Sequence, residues 1–371
     1  MSTPVQRGPE EWRWWIALRS VHGVGPVVYH SLLRVFGEPR AVFSAGQGDL
    51  ECAGLKPELA KAIRQFDGWA AIDRELVRAE RAGAVLVTWN DVHYPPLLRQ
   101  IHDPPPFLYM MGNLHPADVL SVAVVGSRHP TSYGLRMARE LSTGLVQFGL
   151  TIVSGLARGI DAAAHWAALK EGGRTIAVLG SGLDVLYPPE HKALAQRVAT
   201  QGALLTELAM GAQPDAENFP TRNRIISGIT RGTVVVEAAE KSGSLITAHL
   251  AAEQGREVFA VPGPVGERSR GTHRLIRNGA KLTESALDVI EEIAPQLVTR
   301  RGPAPRQFEL PLQAEPLVEL LRAAPLHIDE LIARSGQPAT QVLSTLLDLE
   351  LQGVVQQLPG KCFALTTQPS G

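Results

Sequence analysis

From Ser121 to Gly279 the chain repeats one pattern. A short, uninterrupted apolar run ends near a glycine, and a stretch with helical spacing follows. The runs are SVAVVGSR (121–128), LTIVSGLA (150–157), RTIAVLGSGL, ALLTELA, GTVVVEAA and EVFAVPG. Between them lie GLRMARELSTGLVQFG, GIDAAAHWAALKEGG, PPEHKALAQRVATQG and SLITAHLAAEQG. Strands without polar alternation are buried on both faces, which requires a mainly parallel sheet with helices on each side. The fold class expected is therefore α/β, a Rossmann-like doubly wound sheet. In such sheets ligands bind outside the carboxyl ends of the strands.

The flanks read differently. Residues 1–82 hold short helices broken by glycines. Their VHGVGPVVYHSLLRVFG suggests helix, Gly-Val-Gly-Pro turn, helix, with CAGLKPELAKAI as a degenerate second copy. Such turns can offer backbone N–H groups to a DNA phosphate, which leaves duplex DNA contact open for this region, beside ordinary helical packing. The sheet domain is expected over 83–293. Residues 294–313, rich in Pro, Arg and Gln, read as a linker. Residues 314–371 read as three helices and a hairpin, a winged helix. Its third helix, PATQVLSTLLDLELQG, has no Lys or Arg and carries Asp348 and Glu350, which argues against a duplex reader.

Composition narrows the classes. Net charge is −1 over 371 residues, so an anion site must be local. Cys52 and Cys362 stand far apart, with no metal spacing and no disulfide framework, which fits a reducing cytoplasm. No apolar run reaches the roughly 20 residues of a membrane span. The N-terminus MSTPVQRGPEEW lacks the apolar stretch of a signal peptide. A cytoplasmic protein without membrane contact is expected.

Each strand end is a candidate ligand site. Gly126-Ser127-Arg128 combines a close-approach glycine, a following helix N-terminus and a guanidinium fork. In SGLARGIDAAAH, Asp161 can complement the helix dipole, and His165 reads as packed rather than metal-binding. GSGLDVLYPPE reads as mostly structural. In NFPTRNRIISGIT, Arg222 and Arg224 flank Asn223 at a helix start, where cations oppose the macrodipole and suggest a compensating anion. Phe219 beside them could stack on a base. The alternative places Phe219 in the core and bonds the arginines to loop carbonyls. Ser242, Gly243 and Ser244, before a helix containing Thr247, form another candidate phosphate nest.

Basic excess gathers around these ends. Phe219–Lys281 holds ten Lys and Arg against five Asp and Glu, and Ser121–Arg174 six against three. That favours an extended polyanion. The chain lacks G-x-G-x-x-G, a P-loop, G-x-S-x-G, H-E-x-x-H and clustered acids, so neither catalysis nor a cofactor is expected.

The motifs VVGSRHPTSYG, VSGLARGIDAAAH, FPTRNRIISGIT and EAAEKSGSLITAHLAAEQGREVFAVPG, in order from Ser121 to Gly279, resemble DNA-processing protein A, the DprA or Smf family. The resemblance implies a homodimeric protein without enzymatic activity that binds single-stranded DNA during natural transformation. It implies loading of RecA recombinase onto that DNA and help in displacing single-strand binding protein. Its strand pocket carries over onto Arg128 with Gly126 and Ser127, and onto Phe219, Arg222, Asn223 and Arg224. The carry-over to Ser242, Gly243, Ser244 and Thr247 is looser. The sheet also resembles nucleotide phosphoribohydrolases, but those carry P-G-G-x-G-T-x-x-E where this chain has EKSGSLITA. A protein-only scaffold is the third reading, which the basic strand ends argue against.

Overall fold

The computed structural model of the chain describes residues 8–300, 315–351, 355–358 and 360–365. Two compact units divide at Arg300–Arg301. The first opens with helices α1 Pro9–Ser20, α2 Pro26–Phe36, α3 Pro39–Ser44, α4 Gln47–Cys52, α5 Pro57–Arg64 and α6 Trp69–Ala82. Proline stands at the first turn of α1, α2, α3 and α5, where its missing N–H has no intrahelical partner to lose. The turns before α2 and α5 correspond. Gly23 and Gly54 take φ near +91° and +92°, and Val24 and Leu55 are buried.

The sheet follows: β1 Val85–Thr88, β2 Phe107–Gly112, β3 Ser121–Val125, α7 Ser132–Gln147, β4 Thr151–Ser154, α8 Ile160–Lys170 and β5 Thr175–Val178. It continues with α9 Lys192–Gln201, β6 Ala203–Thr206, α10 Asn218–Gly228, β7 Gly232–Val235, α11 Gly243–Glu253 and β8 Glu257–Ala260. It closes with α12 Arg270–Arg277, β9 Lys281–Leu282, α13 Ala286–Ile293 and α14 Pro295–Arg300. Spatial order is β1-β2-β6-β5-β4-β3-β7-β8-β9. The seven strands from β6 to β9 run parallel, while β1 and β2 join as an antiparallel edge. The strand order reverses at β3, the topological switch of a doubly wound sheet.

Every residue of β3, β4, β5, β6 and β7 is buried, as their uninterrupted apolar runs require. Side chains alternate faces. Val122 and Val124 join the layer under α7, α8 and α13, while Ala123 and Val125 join Ile225, Ile226 and Ile229 on the other side. Each such Val or Ile contributes about 1.5–3 kcal/mol on burial.

The N-terminal helices share a core with the sheet. Trp15, Tyr29 and Leu32 belong to one cluster with Phe107, Tyr109, Leu179 and Leu204. The expected division at residue 82 therefore runs through packed side chains. The expected linker also begins later than residue 294: α14 occupies 295–300, with Leu297 and Val298 against the sheet layer. The rest of that linker, 301–313, lies outside the described residues.

The second unit comprises α15 Glu315–Ala323, β10 Leu326–His327, α16 Ile328–Ser335, α17 Ala339–Leu351, β11 Val355–Leu358 and β12 Cys362–Leu365. Leu317, Leu321, Leu331, Val342, Leu346 and Phe363 form its core. The three helices and hairpin appear as expected, and β10 adds a third strand in the order β10-β12-β11. Among the described residues, no helix is long and apolar enough to cross a membrane, and no His, Cys, Asp and Glu group could hold a metal ion.

Candidate nucleic-acid interface

Helix α10 aims the quoted arginine segment at the carboxyl edge. Ile225, Ile226 and Ile229 anchor it to the sheet layer with Leu98 and Ile101. Pro220 sits in its first turn, where no intrahelical bond is lost. Phe219, half-buried, thereby lies over the ends of β4 and β5. It stands in a small cleft with Arg128, Gly155, Ala157, Arg158, Gly180, Ser181, Tyr187 and Pro188. The cleft encloses about 20 Å³.

Cations flank the ring. The Arg128 guanidinium carbon is 5.2 Å from its centroid, and that of Arg222 is 5.9 Å. Tyr187 tilts toward it at 6.0 Å. Two glycines make room. A Cβ on Gly180 would lie 2.9 Å from Phe219 Cδ1, and one on Gly155 would lie 2.7 Å from Arg222 Nη1. Side chains at either position would push the ring or the guanidinium out of place.

Arg128 is exposed. Arg222 and Arg224 correct the expectation that both reach forward to a strand. Arg222 is 5% exposed. Its Nη1 donates to the carbonyls of Gly155, at 2.8 Å, and Val178, and its Nε to Asn223 Oδ1 at 3.2 Å. It ties the ends of β4 and β5 together. Burial pushes it down to about 10, against the pull of Asp161 and with the push of Arg128. Asp161, also buried, accepts from Gly155 N at 3.0 Å, and burial raises its pKa while Arg222 lowers it. Arg224 turns away to Glu207 and to Asp103, 3.3 Å distant. The spacing of two residues on a helix sends the pair to opposite sides. The alternative of bonds to carbonyls describes Arg222 better, while Arg224 pairs with carboxylates instead.

The remaining expected residues spread out. Gly126 permits packing: a Cβ there would meet Ile160 Cγ1 at 2.7 Å. Ser127 N donates to Glu237 O at 2.7 Å, and its Oγ accepts from His129 N at 3.1 Å. Asn223 is buried, its Nδ2 3.5 Å from Gly243 O. The expected nest at 242–244 is filled by its own cap. Ser242 Oγ accepts from Ser244 N and lies 2.8 Å from Ser244 Oγ. Ser244 and Thr247 are buried, so their side chains do not face a ligand.

One feature explains why a nucleotide phosphate has no seat at the switch point. The N-terminus of α7, the customary anion site, is occupied by the Glu237 carboxylate. Thr131 N donates to both of its oxygens at 3.2 Å, and Thr131 Oγ1 donates at 2.5 Å. With Ser127 N bonded to Glu237 O, the crevice between β3 and β7 is laced shut. The open cleft lies on the other side of β3.

Sequence reasoning missed Arg158, Tyr187 and the Gly180 end as cleft walls. The GSGLDVLYPPE turn, mostly structural by its sequence, carries a tyrosine before two prolines at a strand end, the one local signal for a cleft wall. His165 is packed as expected, with Nδ1 2.7 Å from Thr175 Oγ1.

The chain thus combines a doubly wound α/β sheet, with an arginine-flanked aromatic at its carboxyl edge, and a separate unit of winged-helix layout. Residues 85–294 match the family described as DNA recombination-mediator protein A, and 301–361 match the DprA winged helix domain. The chain belongs to the DNA recombination-mediator protein A family. It is 36% identical to Protein Smf of Synechocystis over 390 residues, covering 94% of this chain and 98% of that one. The crystal structure of DNA processing protein A from Streptococcus pneumoniae aligns with TM-score 0.66 at 38% identity, covering 76% of this chain and 98% of that one. A DNA processing protein A from Helicobacter pylori, described for its single-stranded DNA binding mode, aligns with TM-score 0.50 at 30% identity, covering 58% and 95%.

Proposed function

We propose that this protein binds single-stranded DNA at the carboxyl edge of its sheet during natural transformation, with little sequence preference. The observation that carries the reading is Arg128 over Phe219 in a glycine-floored cleft. An exposed guanidinium suits a phosphate, and an aromatic face accepts any base. The single-strand binding mode described for the Helicobacter pylori relative supports it. The site residues in this reading are Arg128 and Phe219 in contact with the strand, with Arg222, Asn223 and Gly155 supporting them.

The protein then acts in the cytoplasm as a binding mediator rather than by catalysis. In line with the family resemblance, it hands the strand to RecA and assists displacement of single-strand binding protein. As a homodimer it sets two clefts on one strand and gains avidity. Winged-helix residues contribute little to strand affinity, because α17 has no basic side chain in its sequence.

The test is fluorescence anisotropy with labelled single-stranded and duplex oligonucleotides over a salt series. Single-strand preference is expected, with a log–log slope of about −0.7 per phosphate contacted. Absence of binding at low salt overturns the reading.

A further inference from the structure

The mouth of the cleft holds an ion pair that strand binding, as described so far, leaves unused. Arg158, in the loop after β4, bonds through Nε to Glu190 Oε1; the two side chains are 49% and 50% exposed. Arg158 forms a wall of the cleft beside Tyr187, whereas Glu190 lies just outside it, in the turn Pro189–His191. That turn is pinned: the His191 ring is bonded through Nδ1 to Leu156 O at 2.8 Å. That bond ties the turn to the loop that carries Arg158. At about 20 Å³ the cleft has room for little more than one water. Arg158 is an exposed, cationic wall of this small cleft.

We propose that Arg158 is a further phosphate contact, and that Glu190 holds its guanidinium in the free protein where a phosphate sits in the complex. This rests on the strand-binding reading above. Carboxylate and phosphate present the same paired oxygens to the guanidinium fork, so one can replace the other without rebuilding the loop. When the strand arrives, Arg158 exchanges partners and Glu190 stays behind in water. An exposed pair of this kind is weak, so the exchange is easy, and Glu190 sets affinity by competing rather than by contact.

The experiment is a double-mutant cycle in the full-length protein, read by anisotropy with a labelled oligothymidylate. The proteins are wild type, Glu190→Gln, Arg158→Ala and the double variant. Glu190→Gln is expected to tighten binding about two- to fivefold. Arg158→Ala is expected to weaken it, and the gain from Glu190→Gln is expected to vanish in that background. Equal tightening in both backgrounds would mean that Glu190 merely repels DNA, and overturns the proposal. So does an unchanged affinity of Glu190→Gln in the presence of Arg158. Failure of the wild type to bind overturns both this proposal and the reading beneath it. Both side chains are half exposed, so thermal unfolding of the variants should match wild type and keep the comparison clean.

Discussion

Replacing Arg128 with alanine separates a phosphate ligand from a structural arginine. The side chain is exposed and contacts the Phe219 ring at 5.2 Å. A charge-assisted hydrogen bond contributes about 1.5–3 kcal/mol, and solvent exposure lowers that to about 1–2 kcal/mol. Arg128→Ala should then weaken single-strand binding about 5- to 30-fold. Removing one neutralised phosphate should also flatten the log–log salt slope by about 0.7. Between 50 and 200 mM salt, the ratio of wild-type to mutant affinity should therefore shrink about 2.5-fold. The assay is an anisotropy titration at four or five salt concentrations, with oligonucleotides of different sequence. Loss of affinity with the full slope retained would show that Arg128 acts on the fold of the cleft. A loss confined to particular bases would contradict phosphate contact.

Other outcomes follow from the same geometry. Phe219→Ala should cost about 1–3 kcal/mol of strand affinity with the slope unchanged; Gly180→Ala should weaken binding by displacing the ring, and its effect should disappear in the Phe219→Ala background. Arg222→Ala removes the cation near buried Asp161 and leaves the Gly155 and Val178 carbonyls without its bonds, so urea denaturation should show a loss of about 3–5 kcal/mol. His165 is held near 3, first by burial, then by His191 and Arg222. Its folded-state pKa is below the unfolded value, so its stabilising share is complete above about pH 6.5 and fades as pH falls toward 3, by up to about 1.4 kcal/mol per unit. The raised pKa values of Asp161 and Glu207 act in the opposite sense. The diagnostic is therefore the difference: His165→Gln should flatten the decline of the urea midpoint between pH 6.5 and 4.5. An unaltered slope would exclude His165 as its source.

The parallel core was legible because each strand is apolar on both faces, a signal carried within five residues. The same rule pointed to the carboxyl edge, where Arg128 and Phe219 stand together. The roles of Arg222 and Arg224 were not legible. Their partners, Val178, Gly155, Glu207 and Asp103, lie elsewhere in the sequence, and local spacing cannot say which charges folding brings together. Arg158 and Tyr187 escaped for a similar reason. The β4 and β5 loops converge on one cleft only after the strands align. The antiparallel edge β1–β2 gave no helix–strand alternation to read, and the N-terminal helices packed onto the sheet through Trp15 and Tyr29 with no boundary in composition.

Glu237 has one more consequence. Many proteins with this kind of sheet sense nucleotides at the first helix, and the identity of the phosphate chain there can time a cycle. Here the place is taken by the chain's own carboxylate, fastened to Thr131. A triphosphate would have to displace that carboxylate to be read there. A strand held along the neighbouring edge, as proposed above, would not be let go on a clock set there. On that proposal, its release would follow from competition by a receiver that binds it better, and the direction of the exchange would belong to the receiver.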